Sequence, residues 1–130
     1  MKIYSEYQIS LSQTGGPIGT PSYSSAFDRL GDIVSFRCFI DKIQVGGGGH
    51  DKESARQIEA LLSGIEVVPN VVSEDSQMMD SNWNRLEIRH GNSGMFFEWY
   101  DDCPSEWPDV CELANLIAGW SKKHWHKHVV

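Results

Sequence analysis

The chain has 130 residues, 40% hydrophobic and 22% charged, with a formal net charge of −7. That length and composition read as a single globular domain over 1–130 and exclude a disordered chain. A pI near 5.1 argues against direct binding to nucleic acid, whose phosphates must be met by Lys or Arg, and no apolar run nears the roughly 20 residues that cross a bilayer.

Residues 2–11 alternate around Ile3, Tyr7, Ile9 and Leu11, the pattern of a half-buried strand. Glu6 stands where a signal peptide needs an apolar stretch, so export by that route is not expected. Gly15 to Ser25 is rich in Gly, Pro and Ser and predicts a long exposed loop, with Ile18 and Tyr23 as its candidate binding residues. Residues 33–45 predict the best strand. Val34, Phe36, Cys38 and Ile40 share one face, and Ile43 and Val45 resume in the opposite phase, which predicts a bulge or bend near Lys42. Gly46 to Gly49 then read as a flexible connector into a helix. Ile58, Leu61, Leu62 and Ile65 form its inward stripe, with Asp51 as N-cap and Gly64 as stop.

Glu66 to Val72 is β-prone, with Pro69 restricting it to an edge or bend. Residues 73–82 predict a polar loop. Trp83 to His90 and Met95 to Tyr100 predict a hairpin turning at Gly91-Asn92-Ser93-Gly94. Ser105 is a candidate cap for a last helix whose inward stripe is Val110, Leu113, Ala114, Ile117 and Trp120. The expected order is β, β, α, β, β, β, α. This is an α+β two-layer sandwich, an antiparallel sheet of about five strands with both helices on one face.

Charge is distributed unevenly. Glu98, Asp101, Asp102, Glu106, Asp109 and Glu112 fall within fifteen residues that hold no base, with Trp99, Tyr100 and Trp107 among them. The other 115 residues carry 12 acids against 11 Lys and Arg, so this segment supplies nearly all of the net charge. Carboxylates beside large aromatic surface suit a docking face for a basic partner. Helix-start carboxylates also favour the positive end of the macrodipole, which explains Glu106, Asp109 and Glu112 without any partner. It leaves Glu98, Asp101 and Asp102 unexplained.

Other constellations point less far. Gly46-Gly-Gly-Gly-His-Asp-Lys52 lacks the Lys then Ser or Thr that closes a phosphate loop, and Asp51 would repel an anion. His124, His126 and His128 alternate in a tail, but no second shell is visible to orient a metal. Cys38, Cys103 and Cys111 form no CxxC pair and leave an odd thiol, which predicts a reduced, cytoplasmic protein with Cys38 in the core. A Cys103 or Cys111 nucleophile paired with His90 is disfavoured, because the surrounding carboxylates would raise the thiol pKa. Asp80 to Gly91 fails as a calcium loop, with Arg85 at the glycine position. No catalytic residue, metal or cofactor is expected.

The small acidic chain, with its passage Met95-Phe-Phe-Glu-Trp-Tyr-Asp-Asp-Cys-Pro-Ser-Glu-Trp107, resembles bacterial immunity proteins, the antidotes of contact-dependent inhibition and related polymorphic toxin systems. That resemblance implies a non-enzymatic protein that binds a cognate toxin domain, often a basic nuclease, and covers its active site. The partner-binding candidates are Glu98, Trp99, Tyr100, Asp101, Asp102, Glu106, Trp107 and Asp109, or else the loop at 13–25. The alternatives are a small ligand-binding or enzymatic module at the Gly46–Gly49 junction, and a phage inhibitor of a host defence nuclease.

Overall fold

A computed structural model describes residues 6–15, 21–49, 52–65, 71–72, 82–90 and 93–125. Four strands come first: β1 (Glu6–Gly15), β2 (Tyr23–Leu30), β3 (Ile33–Ile40) and β4 (Ile43–Gly49). Helix α1 (Lys52–Ser63) follows, then β5 (Val71–Val72), β6 (Asn82–His90), β7 (Ser93–Tyr100) and helix α2 (Pro108–Trp125). The sheet runs β4-β3-β2-β1-β6-β7-β5. Every pairing is antiparallel except the two-residue β5, which lies parallel to β7. The α+β class holds, with seven strands among the described residues, one of them only two residues long.

Register sorts the inner face into rows. Phe36, Phe27, Ile9, Ile88 and Met95 lie side by side across β3, β2, β1, β6 and β7. The next row is Cys38, Ser25, Leu11, Leu86 and Phe97. These two rows form the centre of the core, joined by Ala55, Ile58 and Leu62 of α1 and Val110, Leu113, Ala114 and Ile117 of α2. The helical residues recur every three or four positions, so each helix turns one apolar stripe to the sheet. Trp120 packs on Phe27 and Phe36 with ring centroids 5.4 and 5.8 Å away. Buried Ser121 satisfies its hydroxyl against Ser25 of β2 and the Ile117 carbonyl, so the polar pair costs the core little.

Three expectations about the first half need correction. Residues 13–25 are not one long loop: β1 continues to Gly15 and β2 begins at Tyr23, and the two pair from Gln13↔Tyr23 to Glu6↔Leu30. Pairing with β3 on its other side makes β2 an interior strand, which overrides the weak strand propensity of Ser24 and Ser25. Ile18 and Pro17 lie outside the described residues.

Residues 33–45 are not one strand with a bend but a hairpin. It turns at Asp41 and Lys42, both at positive φ (50° and 68°), as a tight two-residue connection requires. The bulge falls on β4, where Cys38↔Gly46 and Phe39↔Gln44 leave Val45 over. Gly46 to Gly49 are therefore a paired edge strand rather than a flexible connector. Gly47 has φ +154°, and a Cβ there would sit 2.7 Å from the Phe36 carbonyl oxygen, so only glycine fits this close approach.

The α1 stop falls where expected, its last turn closed by Gly64 and Ile65 amides donating to the Leu61 and Leu62 carbonyls. Helix α2 starts later than Ser105. Pro108 is its first residue and the Trp107 carbonyl accepts its first bond, from the Cys111 amide, matching the preference for proline at that position. Asp51, Pro69, the 73–81 segment, Gly91, Asn92, His126 and His128 lie outside the described residues. No helix among the described residues is long and apolar enough to cross a membrane.

Candidate functional site

The acidic aromatic segment is divided by the strand period. On β7, Met95, Phe97 and Trp99 turn inward, and Phe96, Glu98 and Tyr100 turn to the open face. Trp99 is only 4% exposed. Trp107 is half-buried and meets both Phe97 and Trp99 edge-on, at 5.5 and 6.4 Å between centroids. Trp99 belongs to the core and is not presented as an anchor, and Trp107 packs half-buried against it. Tyr100 remains half-exposed on the open face, paired across from Trp83.

The carboxylates separate too. Glu98 lies directly across from Arg85 and bonds it at 2.9 Å. Arg85 also meets Glu87 at 3.2 Å and covers the Phe96 ring at 3.9 Å, and Glu87 pairs in turn with Arg89. Glu98 is thus neutralised within a ladder on the open face. Asp109, in the first turn of α2, packs against α1: a Cβ on Gly64 would lie 2.1 Å from its carboxylate. Asp102 and Glu106 are exposed and form no ion pair among the described residues. Asp101 is exposed at φ 55°, and its Oδ1 accepts the Asn82 amide at 3.0 Å while its own amide donates to the Asn82 carbonyl at 2.8 Å.

A disulfide joins Cys103 to Cys111, with their Cα atoms 5.7 Å apart. The expectation of three reduced thiols is corrected, and with it falls the argument from cysteine usage for a cytoplasmic protein. Spacing in sequence did not show the pair because the 104–107 turn folds the chain back onto the start of α2. The bridge ties that start to the end of the β7 turn, so Glu106 and Trp107 sit in a closed loop. Cys38 is the free cysteine among the described residues, fully buried, with burial pushing its thiol pKa up. It is inert by the same logic.

Sequence reasoning missed the row that ends the inner face. Tyr23, Gln13, Asn84 and Trp99 lie side by side across β2, β1, β6 and β7, one row beyond the apolar ones. Asn84 is 4% exposed. Its Oδ1 accepts from Gln13 Nε2 at 3.2 Å, and its Nδ2 lies 3.4–3.5 Å from the carbonyls of Asn82, Trp99 and Asp101. Beside this row opens a cavity of about 300 Å³, whose lining includes Gln13, Gly15, Tyr23, Asn84 and Asp101. The end of the supposed loop and the acidic turn, two separate candidate faces in the sequence, thus meet at one end of the sheet. The alternation of β1 running past Leu11 to Gln13 was the signal that could have revealed it.

The chain matches no protein-family model, and no curated protein matches it.

Proposed function

We propose that this protein is an immunity protein: a non-enzymatic inhibitor that captures a basic toxin domain, such as a nuclease, on the acidic end of its sheet. The observation that carries the reading is the cluster Asp101, Asp102 and Glu106, exposed within six residues, with no ion pair at Asp102 or Glu106 among the described residues. Surface carboxylates left without counter-charge create a local negative field that speeds encounter with a positive surface. The disulfide and the Trp107 wedge hold the cluster on a fixed support, which reduces the ordering cost of binding. Relative to the segment 98–112 as a whole, the docking set narrows to Asp101, Asp102, Glu106 and Tyr100. Trp99 and Trp107 support it from the inner face, Glu98 is held by Arg85, and Asp109 lies against Gly64.

The test is association with a cognate toxin domain, sought among the genes adjacent to this chain's own, followed by stopped flow over a series of salt concentrations. Asp102→Lys with Glu106→Lys should slow association at least about tenfold at low salt and flatten its salt dependence. Asp101 is left native because its carboxylate caps the Asn82 amide. Unchanged association kinetics would remove this surface from the reading.

A further inference from the structure

The acidic turn between β7 and α2 has few tertiary attachments. Among the described residues, 102–106 make no hydrogen bond and no ion pair outside the ring that the Cys103–Cys111 bridge closes. Within the ring, the Trp107 amide donates to the Pro104 carbonyl at 3.0 Å and the Cys111 amide to the Trp107 carbonyl at 2.9 Å. Beyond it, Trp107 meets Phe97 and Trp99, and Cys103 packs against the core. Apart from its two chain ends, the turn is held by that packing and by the covalent bond. We propose that the bridge is a reducible latch: exchange with a dithiol opens the acidic turn while the sheet stays folded. The consequence for partner capture rests on the docking reading above; the opening itself does not.

Three observations separate a latch from a staple. In chain-entropy terms a disulfide that secures a whole fold closes a long loop, and this one joins cysteines only 8 positions apart. No sheet pairing includes a residue of the ring, so breaking the bond removes no strand contact. Neither bridged cysteine is buried, whereas Cys38 is 0% exposed, so an external thiolate has access to the bond that the third thiol lacks. In the exchange, a thiolate of the dithiol bonds to one Sγ, the Cys103–Cys111 bond breaks, and the other Sγ leaves with the electron pair and takes a proton. The second thiolate of the dithiol then displaces the first Sγ, which is protonated in turn, and the dithiol becomes a disulfide. The carboxylates of Asp102, Glu106 and Glu112, all exposed and close to the cysteines in the chain, repel anionic thiols and favour neutral or cationic ones.

The experiment is reduction of the isotopically labelled protein by dithiothreitol without denaturant, followed by NMR. The Trp107 and Cys111 amides should exchange with water at least about tenfold faster once the bond is reduced, while the amides of Ile9 and Ile88 in the inner rows keep their chemical shifts. Cys103→Ser with Cys111→Ser should reproduce the reduced spectrum; where that variant fails to accumulate, the reduced native protein is read directly. Resistance to reduction until denaturant is added, unchanged exchange at Trp107 and Cys111, or loss of the Ile9 and Ile88 shifts would each overturn the proposal. The thiol class is read from rates per thiolate. Cysteamine, a cation, should react about tenfold faster than mercaptopropionate, an anion, at low salt, and added salt or Asp102→Asn with Glu106→Gln should narrow the gap. Equal rates would overturn the selection by charge. No toxin enters the experiment, so its result is separate from the docking reading. A latch that fails is discarded even if Asp102→Lys with Glu106→Lys slows toxin capture, and one that opens stands even if they do not.

Discussion

The two ends of the sheet carry the same kinds of residue and behave in opposite ways. At one end, Arg29, Asp32, Arg56 and Glu59 border a cavity of about 140 Å³ between the β2–β3 turn and α1. There the charges are balanced, two of each sign. Arg29 pairs with Glu59, both mostly buried, and donates through Nε to the Gly31 carbonyl at 2.9 Å. Neighbouring Tyr7 is buried with its hydroxyl unpartnered among the described residues, and burial, then the Glu59 charge, pushes its pKa up to about 12. At the other end, Asp101 borders a cavity about twice as large whose lining holds no base among the described residues, with Asp102 and Glu106 exposed in the same turn. The comparison teaches that charge density alone does not mark a binding surface. What marks it is charge such as that of Asp102 and Glu106, which form no ion pair among the described residues.

Five variants test this contrast. Trp107→Ala should have the largest effect, about 3 kcal/mol of lost stability in urea unfolding, because it empties a site between Phe97 and Trp99. A loss below about 1 kcal/mol would mean that Trp107 is a surface anchor after all. Cys103→Ser combined with Cys111→Ser should cost about 2.5 kcal/mol, the loop-closure entropy of so short a ring. Equal midpoints for native protein with and without reductant would show that the bridge does not support the acidic turn.

Arg29→Met should cost about 2 kcal/mol, since it strands Glu59 in a partly buried setting. Asp102→Asn with Glu106→Gln should change stability by no more than about 0.5 kcal/mol. Equal costs at the two ends would erase the distinction between paired and unpaired charge. Tyr7→Phe should stabilise by about 1 kcal/mol near neutral pH, from removing an unsatisfied buried hydroxyl. The pH dependence is the sharper readout. The folded state holds the tyrosine proton more tightly than the unfolded chain, so this stability is present in full below pH 10 and is lost as pH rises towards 12. Thermal melts should therefore fall over that window in the native protein, and a fall of the same size in Tyr7→Phe would assign it to other groups.

Much of the architecture was legible in the chain. The inward residues of β1, β3, β6 and β7 and the stripes of both helices follow from period 2 and period 3.6, and Tyr7, Ile9, Val34, Phe36, Leu86, Ile58 and Ile117 are buried as those periods require. Strand β2 was not legible. Tyr-Ser-Ser-Ala-Phe-Asp carries a loop's composition and becomes a strand because β1 and β3 supply hydrogen bonds on both its edges. The glycines of β4 misled for the same reason, since a propensity is only a prior until neighbours are placed.

At the acidic end, local pattern was enough to show that six carboxylates fall within fifteen residues and that every second residue of β7 faces inward. It could not determine which carboxylates would be neutralised, because that depends on what stands across the sheet and beyond the turn. Tertiary structure set Arg85 opposite Glu98, Gly64 under Asp109, and Gln13 and Tyr23 beside Asn84, through pairings between residues up to 71 positions apart. Local patterns report the period of a segment; register between segments comes from burying the apolar rows together, and that is a property of the whole chain.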